Sequence, residues 1–185
     1  MTPGADLLRD FVRSQLRPLL RERGFRGQTA AFRRERPESV QFVVIDRLFE
    51  RMTPAGVEVD FDIKLGLCCR LLLAAETAAS SPPGRPIRFE DCQVTPPLHD
   101  IMYRTGGDWW TISGGLDEAS KRRLSAELRA GLDQHGLPWL ETVATGDGLA
   151  DAWIEVWDSL GRVGRRSLLR LLTLLGRTAD LARLQ

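Results

Sequence analysis

A strict alternation of apolar and charged residues between positions 57 and 67 constrains the fold most strongly. In this stretch, VEVDFDIKLGL, every second residue is apolar, and the residues between them include Glu58, Asp60, Asp62 and Lys64. Successive side chains of a β-strand point to opposite faces of its sheet. We therefore predict a strand with one face in the core and one polar face.

Other segments repeat the period of two more weakly. Residues 29–34 and 40–49 are predicted strands joined by a turn that contains Pro37. Short connections between successive strands indicate antiparallel pairing. Further short strands are expected at residues 87–94, 100–104 and 109–113, after a loop at residues 75–86.

The ends of the chain have helical periodicity instead. Residues 6–23 form a predicted helix that Pro18 distorts and that Gly24 ends as a left-handed cap. A second helix is expected at residues 117–135, with Gly136 as its cap and Pro138 as its stop. Two more are expected at residues 147–160 and 165–184.

This order of elements, helix then strands then helices, is typical of an α+β fold. We predict an antiparallel sheet of about four to six strands with helices on one face and a helical C-terminal extension. Residues 1–142 would form the core domain. Residues 143–185 would form the extension, packed on the core or on a second copy of the chain.

Composition restricts the classes of partner. The chain has 185 residues, a net charge of +1, and 26 basic residues of which only Lys64 and Lys121 are lysines. So balanced a charge creates no long-range attraction to nucleic acid or to a membrane surface. The first residues lack the pattern of a secretory signal, and no apolar run is long enough to span a bilayer. The three cysteines have no spacing typical of a disulfide framework, which fits a reducing compartment. We expect a cytoplasmic protein.

The stretch RGFRGQTAAFRRE, residues 23–35, contains a G-x-x-G pattern at Gly24 and Gly27. In KH domains such a loop joins two helices, and a P-loop has a different spacing between strand and helix. Here the glycines follow a helix and precede a strand, which favours an ordinary helix cap. Nucleic-acid contact is an alternative that the balanced charge disfavours; it would use Arg23, Arg26, Arg33, Arg34 and Arg36.

Several segments resemble a bacterial family of domains of unknown function, four-three-zero-four in the usual series. They are LRPLLRERGFRGQTAAFRR, SVQFVVIDRL, VDFDIKLGL and GLPWLE. The likeness runs over residues 5–142 and leaves the C-terminal helices outside. It implies an uncharacterised α+β domain of bacterial origin, and it implies no active-site residues.

The acidic row of Glu58, Asp60 and Asp62 is the best candidate site. Alternate residues of a strand lie about 6.5 to 7 Å apart on one face, a spacing that suits an acid–base pair or a hard cation. The alternative is a solvated sheet face whose carboxylates pair with arginines of neighbouring strands, such as Arg33, Arg34 or Arg47. One of Trp109 and Trp110 should be in the core and the other free to stack on a ligand. The candidate ligand-binding residues are Glu58, Asp60, Asp62, Arg33, Arg47 and Trp110.

The remaining reactive side chains favour no catalytic or metal site. Cys68, Cys69, Cys92 and His99 lack the spacing of zinc ligands, so we predict no metal and no cofactor. His99 and Asp100 are read as a loop hydrogen bond, with a proton-transfer pair as the alternative.

The C-terminal leucines suggest self-association. Leu168, Leu171, Leu172 and Leu175 form one stripe of a continuous helix, which would leave Leu174, Leu181 and Leu184 for a homodimer contact or for a groove within one chain.

These features together predict a non-catalytic binding or protein-interaction module whose partner is a protein or a small ligand. The alternative is a ligand-binding domain or enzyme that uses the acidic face of the sheet. An open pocket on that face would favour the alternative, and a covered face would favour the binding module.

Overall fold

The computed structural model describes residues 2–54, 56–77, 85–102 and 109–184. The strands in these ranges are β1 (Arg26–Gly27), β2 (Ala31–Glu35), β3 (Ser39–Thr53), β4 (Gly56–Cys69) and β5 (Trp110–Ser113). They form one antiparallel sheet in which strands adjacent in sequence are also adjacent in space. A five-stranded sheet accompanied by helices confirms the predicted α+β class.

Helices make up the rest of the described secondary structure. Two turns are π-helical (Val12–Leu16 and Leu132–Gly136) and two are 3-10 helices (Phe89–Asp91 and Trp157–Ser159). Within the described ranges, no helix has the length and apolar character needed to cross a bilayer. The α-helices are α1 (Pro3–Phe11), α2 (Arg17–Glu22), α3 (Arg70–Thr77), α4 (Leu98–Ile101), α5 (Glu118–Gly131), α6 (Leu137–Thr142), α7 (Gly146–Glu155), α8 (Arg162–Leu175) and α9 (Thr178–Leu184).

The chain divides into two compact units. The first comprises Met1–Arg34, Phe42–Leu65 and Pro96–Trp139. The second comprises Glu35–Gln41, Gly66–Thr95 and Leu140–Gln185. Each unit combines segments from distant parts of the chain, so the units do not test a boundary between consecutive domains. The predicted domain boundary after residue 142 stays a prediction.

The core of the first unit is built on the alternating face of β4. Val59, Phe61, Ile63 and Leu65 are all fully buried, as their spacing predicts. The Phe61 ring lies 6.1 Å from the ring of Phe11 on α1 and 6.3 Å from that of Trp110 on β5, measured between centroids. Burial of each such side chain stabilises the fold by about 1.5 to 3 kcal/mol. This face of β4 therefore anchors the unit.

In the second unit, polar residues at the start of β3 are buried against the chain around α6. Gln41 donates from Nε2 to the Leu140 carbonyl at 2.6 Å, and Ser39 donates from Oγ to the Ala144 carbonyl at 2.7 Å. Buried polar groups are stable when such partners satisfy them. Apolar side chains of α6, α7 and α8 complete this core: Leu140, Leu149, Trp153, Leu168 and Leu172.

The predicted first helix, residues 6–23, is observed as α1, a π-helical turn and α2. The Arg17 N–H donates to the Val12 carbonyl, five residues back, and Pro18 follows as the second residue of α2. Proline has no N–H and its ring clashes with the carbonyl four residues earlier. The π-helical turn widens the helix just before the proline, so the predicted distortion at Pro18 takes this form.

The second long helix repeats the arrangement and corrects two predictions. The Leu137 N–H donates to the Leu132 carbonyl across a π-helical turn, and the helix continues through Pro138 to Thr142. The expected cap at Gly136 and stop at Pro138 are therefore wrong. A Cβ on Gly136 would lie 2.8 Å from Cδ1 of Leu98, so this glycine serves close packing instead.

The predicted cap at Gly24 is confirmed. Gly24 has a φ of +83° and donates its N–H to the Arg21 carbonyl at 3.0 Å. The Phe25 N–H donates to the Leu20 carbonyl at 2.9 Å, which completes a Schellman motif. The Phe25 side chain folds back and is 1% exposed.

Gly24→Ala should lower the free energy of unfolding by about 1 kcal/mol, because an L-residue is strained in the left-handed region. The added Cβ would meet only Cδ of Arg34, at 3.5 Å, so backbone strain is the main cost. Urea denaturation measures the loss. An unchanged midpoint would contradict the assignment.

The connection between β4 and β5 differs from the prediction. Residues 87–94 form a 3-10 turn and a single bridge between Val94 and Leu67 instead of a strand. Residues 100 and 101 belong to α4, for which Pro97 is the N-cap residue. The predicted loop 75–86 begins inside α3; residues 78–84, 103 and 104 lie outside the described residues.

The predicted continuous helix at residues 165–184 is also wrong. Gly176, with a φ of +69°, ends α8, and α9 begins at Thr178. Leu181 and Leu184 therefore lie on a separate short helix and are half-buried. Leu174, on α8, is 41% exposed.

Candidate functional site

The acidic row lies on the face of β4 opposite the Phe61 side chain, and most of it is covered. Asp60 and Asp62 are 3% and 4% exposed, and Glu58 is half-buried. The solvated face that the sequence suggested is therefore wrong for the two aspartates. Carboxylates this deeply buried need partners to offset the loss of hydration.

Asp60 has two such partners. Its Oδ2 pairs with Nη1 of Arg51 on β3, and its Oδ1 accepts from Oγ1 of Thr111 on β5 at 2.6 Å. Arg51 also donates from Nε to Oε2 of Glu58 at 2.9 Å. The hydrogen bond to Asp60 raises the pKa of Arg51. Arg51 thus ties two members of the acidic row together across the sheet, as cross-strand ion pairs do.

Asp62 has a different environment. Its Oδ1 accepts from the Ile63 N–H at 2.7 Å and lies 3.3 Å from Nδ1 of His99. The other ring nitrogen of His99, Nε2, lies 3.2 Å from Oδ1 of the exposed Asp100. Burial raises the pKa of Asp62, while the Ile63 N–H and His99 oppose that rise. His99 therefore connects a buried carboxyl group to one at the surface.

Asp62 should make stability depend on pH in a defined direction. A folded pKa above the unfolded value means that the group favours folding below the unfolded pKa, about 3.9, and that this contribution is lost as pH rises through the folded pKa. Asp62→Asn should therefore become more stable relative to the natural protein as pH rises from acid to neutral. Urea melts across that range measure the difference, with exposed Asp158→Asn as the control. A variant that loses stability relative to the natural protein over that rise in pH would contradict the assignment.

The other candidate residues do not join the acidic row. Arg47 donates to Thr2 Oγ1 and Glu50 Oε2, both at 2.9 Å. Arg33 lies on β2 opposite Arg26 of β1. Trp110 is 4% exposed and donates from Nε1 to Glu127 at 3.1 Å. The arginine that meets the row is Arg51, so the suggested pairing with Arg33, Arg34 or Arg47 is wrong.

The two adjacent tryptophans divide as expected, one into the core and one outward. Trp109 is 45% exposed and its ring lies 6.2 Å from that of Phe49, which is 62% exposed. Met52, near the end of the same strand as Phe49, is 76% exposed. Phe49 and Trp109 therefore form an exposed aromatic pair on the first unit.

The cysteines are free, and Cys68 and Cys69 are buried. Burial raises the pKa of Cys68 to about 12 and also raises that of Cys92. The thiolate is the nucleophile and the metal ligand, so these thiols are poor candidates for either role at neutral pH. Among the described residues, no group of three or more His, Cys, Asp and Glu side chains is placed to hold a metal ion.

A second candidate site involves the glycine-capped turn itself. A cavity of about 690 Å³ lies between the end of the first helix and the β1–β2 pair. We call it the arginine cavity; its lining residues are Arg17, Arg21, Gly24, Phe25, Arg26, Gly27, Gln28 and Arg33.

Within the described part of the chain, three of the four arginines of this cavity lack a counter-charge. Among the described residues, nothing forms a hydrogen bond or ion pair with the side chains of Arg17, Arg21 or Arg26. Nε of Arg17 is shielded from solvent and unpartnered. Arg36 also has an unpartnered Nε, but its Nη2 pairs with Glu141. A buried donor without a partner calls for an explanation, and a bound anion supplies one.

Gly27 allows β1 to lie close against β2 in the wall of the arginine cavity. A Cβ at this position would lie 2.2 Å from the Ala31 carbonyl oxygen and 2.9 Å from Cα of Phe32. Arg26 and Arg33 face each other in the same strand pair. Like charges directly opposite one another destabilise a strand pair by about 0.2 to 1 kcal/mol, which an anion between them would offset.

Sequence reasoning named Arg26 and Arg33 for a nucleic-acid contact but missed Arg17 and Arg21 as members of the same site. Their spacing of four residues on a predicted helix, just before the Gly24 cap, was the available signal. No protein-family model matches the chain, and neither the curated proteins nor the solved structures include a significant match.

Proposed function

We propose that the protein is a non-catalytic binding module that holds a small anionic ligand in the arginine cavity. The observation that carries the proposal is the buried, unpartnered Nε of Arg17 beside the guanidinium groups of Arg21 and Arg26. Guanidinium groups bind phosphate and carboxylate in a planar, two-point geometry. A phosphate-bearing molecule satisfies these donors best.

The state of the acidic row supports binding over catalysis. Asp60 is already engaged by Arg51 and Thr111, and Asp62 is covered. A general base must reach a proton of its substrate, and these carboxylates are occupied by protein donors. The alternative, an enzyme or ligand-binding domain that uses the acidic face, is favoured by one observation, the contact of His99 with both Asp62 and Asp100.

Calorimetric titration with inorganic phosphate and pyrophosphate tests the proposal. Arg17→Gln, Arg21→Gln and Arg26→Gln should each weaken pyrophosphate binding by about 10- to 150-fold, because a hydrogen bond to a charged group contributes about 1.5 to 3 kcal/mol. Arg123→Gln is the matched control, since Arg123 is an exposed arginine of the same unit on α5. Equal affinity in all four variants, or no saturable binding by the natural protein, would refute the proposal.

A second part of the proposal concerns the origin and the cellular location of the protein. We propose that the protein is a bacterial, cytoplasmic member of the four-three-zero-four family and that it does not act at a membrane. The near-zero net charge supports a small ligand over a nucleic acid. A single-stranded oligonucleotide in the same titration separates the two, since tighter binding to it than to pyrophosphate would favour nucleic acid. The exposed aromatic pair of Phe49 and Trp109 is the surface best suited to a protein partner.

The predicted homodimer stays a prediction, and it now depends on fewer exposed leucines than the sequence suggested. Leu71 on α3 and Leu174 on α8 are each 41% exposed, and these helices are neighbours in the second unit. Light scattering should give twice the 20.7 kDa mass of the chain. Leu174→Glu should dissociate the dimer, and Val163→Glu, at a 79% exposed position of the same helix, should not. A monomeric natural protein would end the hypothesis.

A further inference from the structure

We infer that the arginine cavity extends into a neighbouring apolar cavity, and that the two together accept a single-chain amphiphile, an alkyl or isoprenyl chain with a phosphate group at one end. The inference rests on the proposed function for its phosphate end. It adds the apolar part of the ligand, which fixes the chemical class.

The apolar cavity has a volume of about 340 Å³. Its apolar lining residues come from α1, the turn after it, and the strands: Ala5, Leu8, Val12, Ala30 and Ile45. Leu8, Val12 and Ile45 are otherwise buried core side chains. A concave surface of this size and polarity is suited to an aliphatic chain.

The two cavities share a wall and a helix. Gly27 and Gln28 line the arginine cavity, and the next two residues, Thr29 and Ala30, line the apolar cavity. On the helix side, Val12 and Arg17 are five positions apart, no more than about 7.5 Å along the axis. The Ile45 N–H donates to the Ala30 carbonyl at 2.7 Å, which fixes the common wall to β3.

The charges in the two cavities are arranged differently. Two arginines also line the apolar cavity, but Arg47 pairs with Glu50 at 2.9 Å and Arg9 pairs with Asp6. These charges are compensated within the protein, and the aliphatic stems of such side chains commonly cover apolar surface. The guanidinium groups without a counter-charge among the described residues line the arginine cavity and belong to Arg17, Arg21 and Arg26. A ligand with one anionic end and one apolar end matches this distribution.

Titration with inorganic phosphate and with butyl, hexyl and octyl phosphate below their micellar concentrations tests the inference. Affinity should rise about fourfold for each methylene buried, the ratio that corresponds to about 0.8 kcal/mol per CH₂, until the apolar cavity is filled. The heat-capacity change of binding should become more negative along the series.

Two filling variants separate the two cavities. Ala30→Phe and Ala5→Phe should each abolish the gain with chain length and leave the affinity for inorganic phosphate unchanged. Ala119→Phe, at an exposed position of α5, should change neither quantity. Two variants from different elements keep the test valid if one of them fails to fold.

The outcomes are distinct. Phosphate binding that does not strengthen with chain length would overturn the inference and leave the proposed function standing. Absence of any phosphate binding would overturn both. Binding to phosphatidic acid vesicles without binding to octyl phosphate would replace the soluble amphiphile with a membrane surface, and so would overturn the inference as well.

Discussion

Phe61→Ala is expected to lower the free energy of unfolding by about 3 to 5 kcal/mol, the range for large-to-alanine changes in a packed core. Phe61 is fully buried, and its ring lies within 6.3 Å of the rings of Phe11 and Trp110. The change removes the side chain that joins α1 to β4 and β5. The cavity it leaves is bordered by a sheet whose backbone has little freedom to collapse.

Phe61→Leu separates the loss of volume from the loss of burial. It should cost less than half as much as the alanine change, since most of the apolar surface stays buried. Urea denaturation of both variants gives the two values. An alanine variant within about 1 kcal/mol of the natural protein would show that this face of β4 is not the anchor of the first unit.

Phe25→Ala should cost about 3 to 4 kcal/mol and also weaken anion binding. Phe25 is 1% exposed, lines the arginine cavity and holds the turn after α2 against the core. The Arg34 guanidinium lies 4.4 Å from its ring and donates to the Arg23 carbonyl at 2.9 Å. Loss of the ring frees the whole turn, whereas the Gly24→Ala change strains a single residue.

Comparison with Gly24→Ala isolates the effect on the cavity. Pyrophosphate affinity per folded molecule should fall more in Phe25→Ala than in Gly24→Ala, because only the first removes a buried side chain that holds the cavity wall. Circular dichroism gives the folded fraction and calorimetry the affinity. Equal affinities in the two variants would contradict this role for the phenylalanine.

Sequence patterns correctly predicted those elements whose conformation is decided by a few neighbouring residues. The alternation in β4 and the glycine after α2 were both interpreted correctly, because strand period and left-handed capping are decided within a few residues. The two π-helical turns were missed for the opposite reason. Each lies before a proline, of which Pro18 was expected to distort its helix and Pro138 to stop the other, and burial of Leu19 and Leu140 beyond the prolines keeps both helices intact.

At the acidic row, the sequence predicted some of the site residues and missed their partners. The residues of the acidic row were identified, but not the arginine that meets them. Arg47 and Glu50 would face opposite sides of an unbroken strand, yet they pair with each other and with Thr2, so strict alternation does not hold along this part of β3. His99 was expected in a loop or beside a strand and lies instead on α4, against Asp62.

Helical spacing relates Arg17 to Arg21, but the complete arginine cavity could not be derived from spacing, because its residues come from a helix and a strand pair that only the folded turn brings together. Sequence also could not show which of the 24 arginines lack a partner, since that depends on long-range contacts. Arg23, for example, reaches Asp133 at 2.9 Å, and Arg129 reaches Glu22 at 3.5 Å.

Proton–nitrogen NMR of the arginine Nε–H groups, recorded while pyrophosphate is added, tests the central claim most directly. The account predicts that the signals of Arg17, Arg21 and Arg26 shift and saturate together at one ligand per chain. The Arg17 Nε–H should move most, because it is the buried donor that gains a partner. The signal of Arg123 should stay in place. Uniform, unsaturable shifts across all arginines, or no shift at Arg17, would contradict the account.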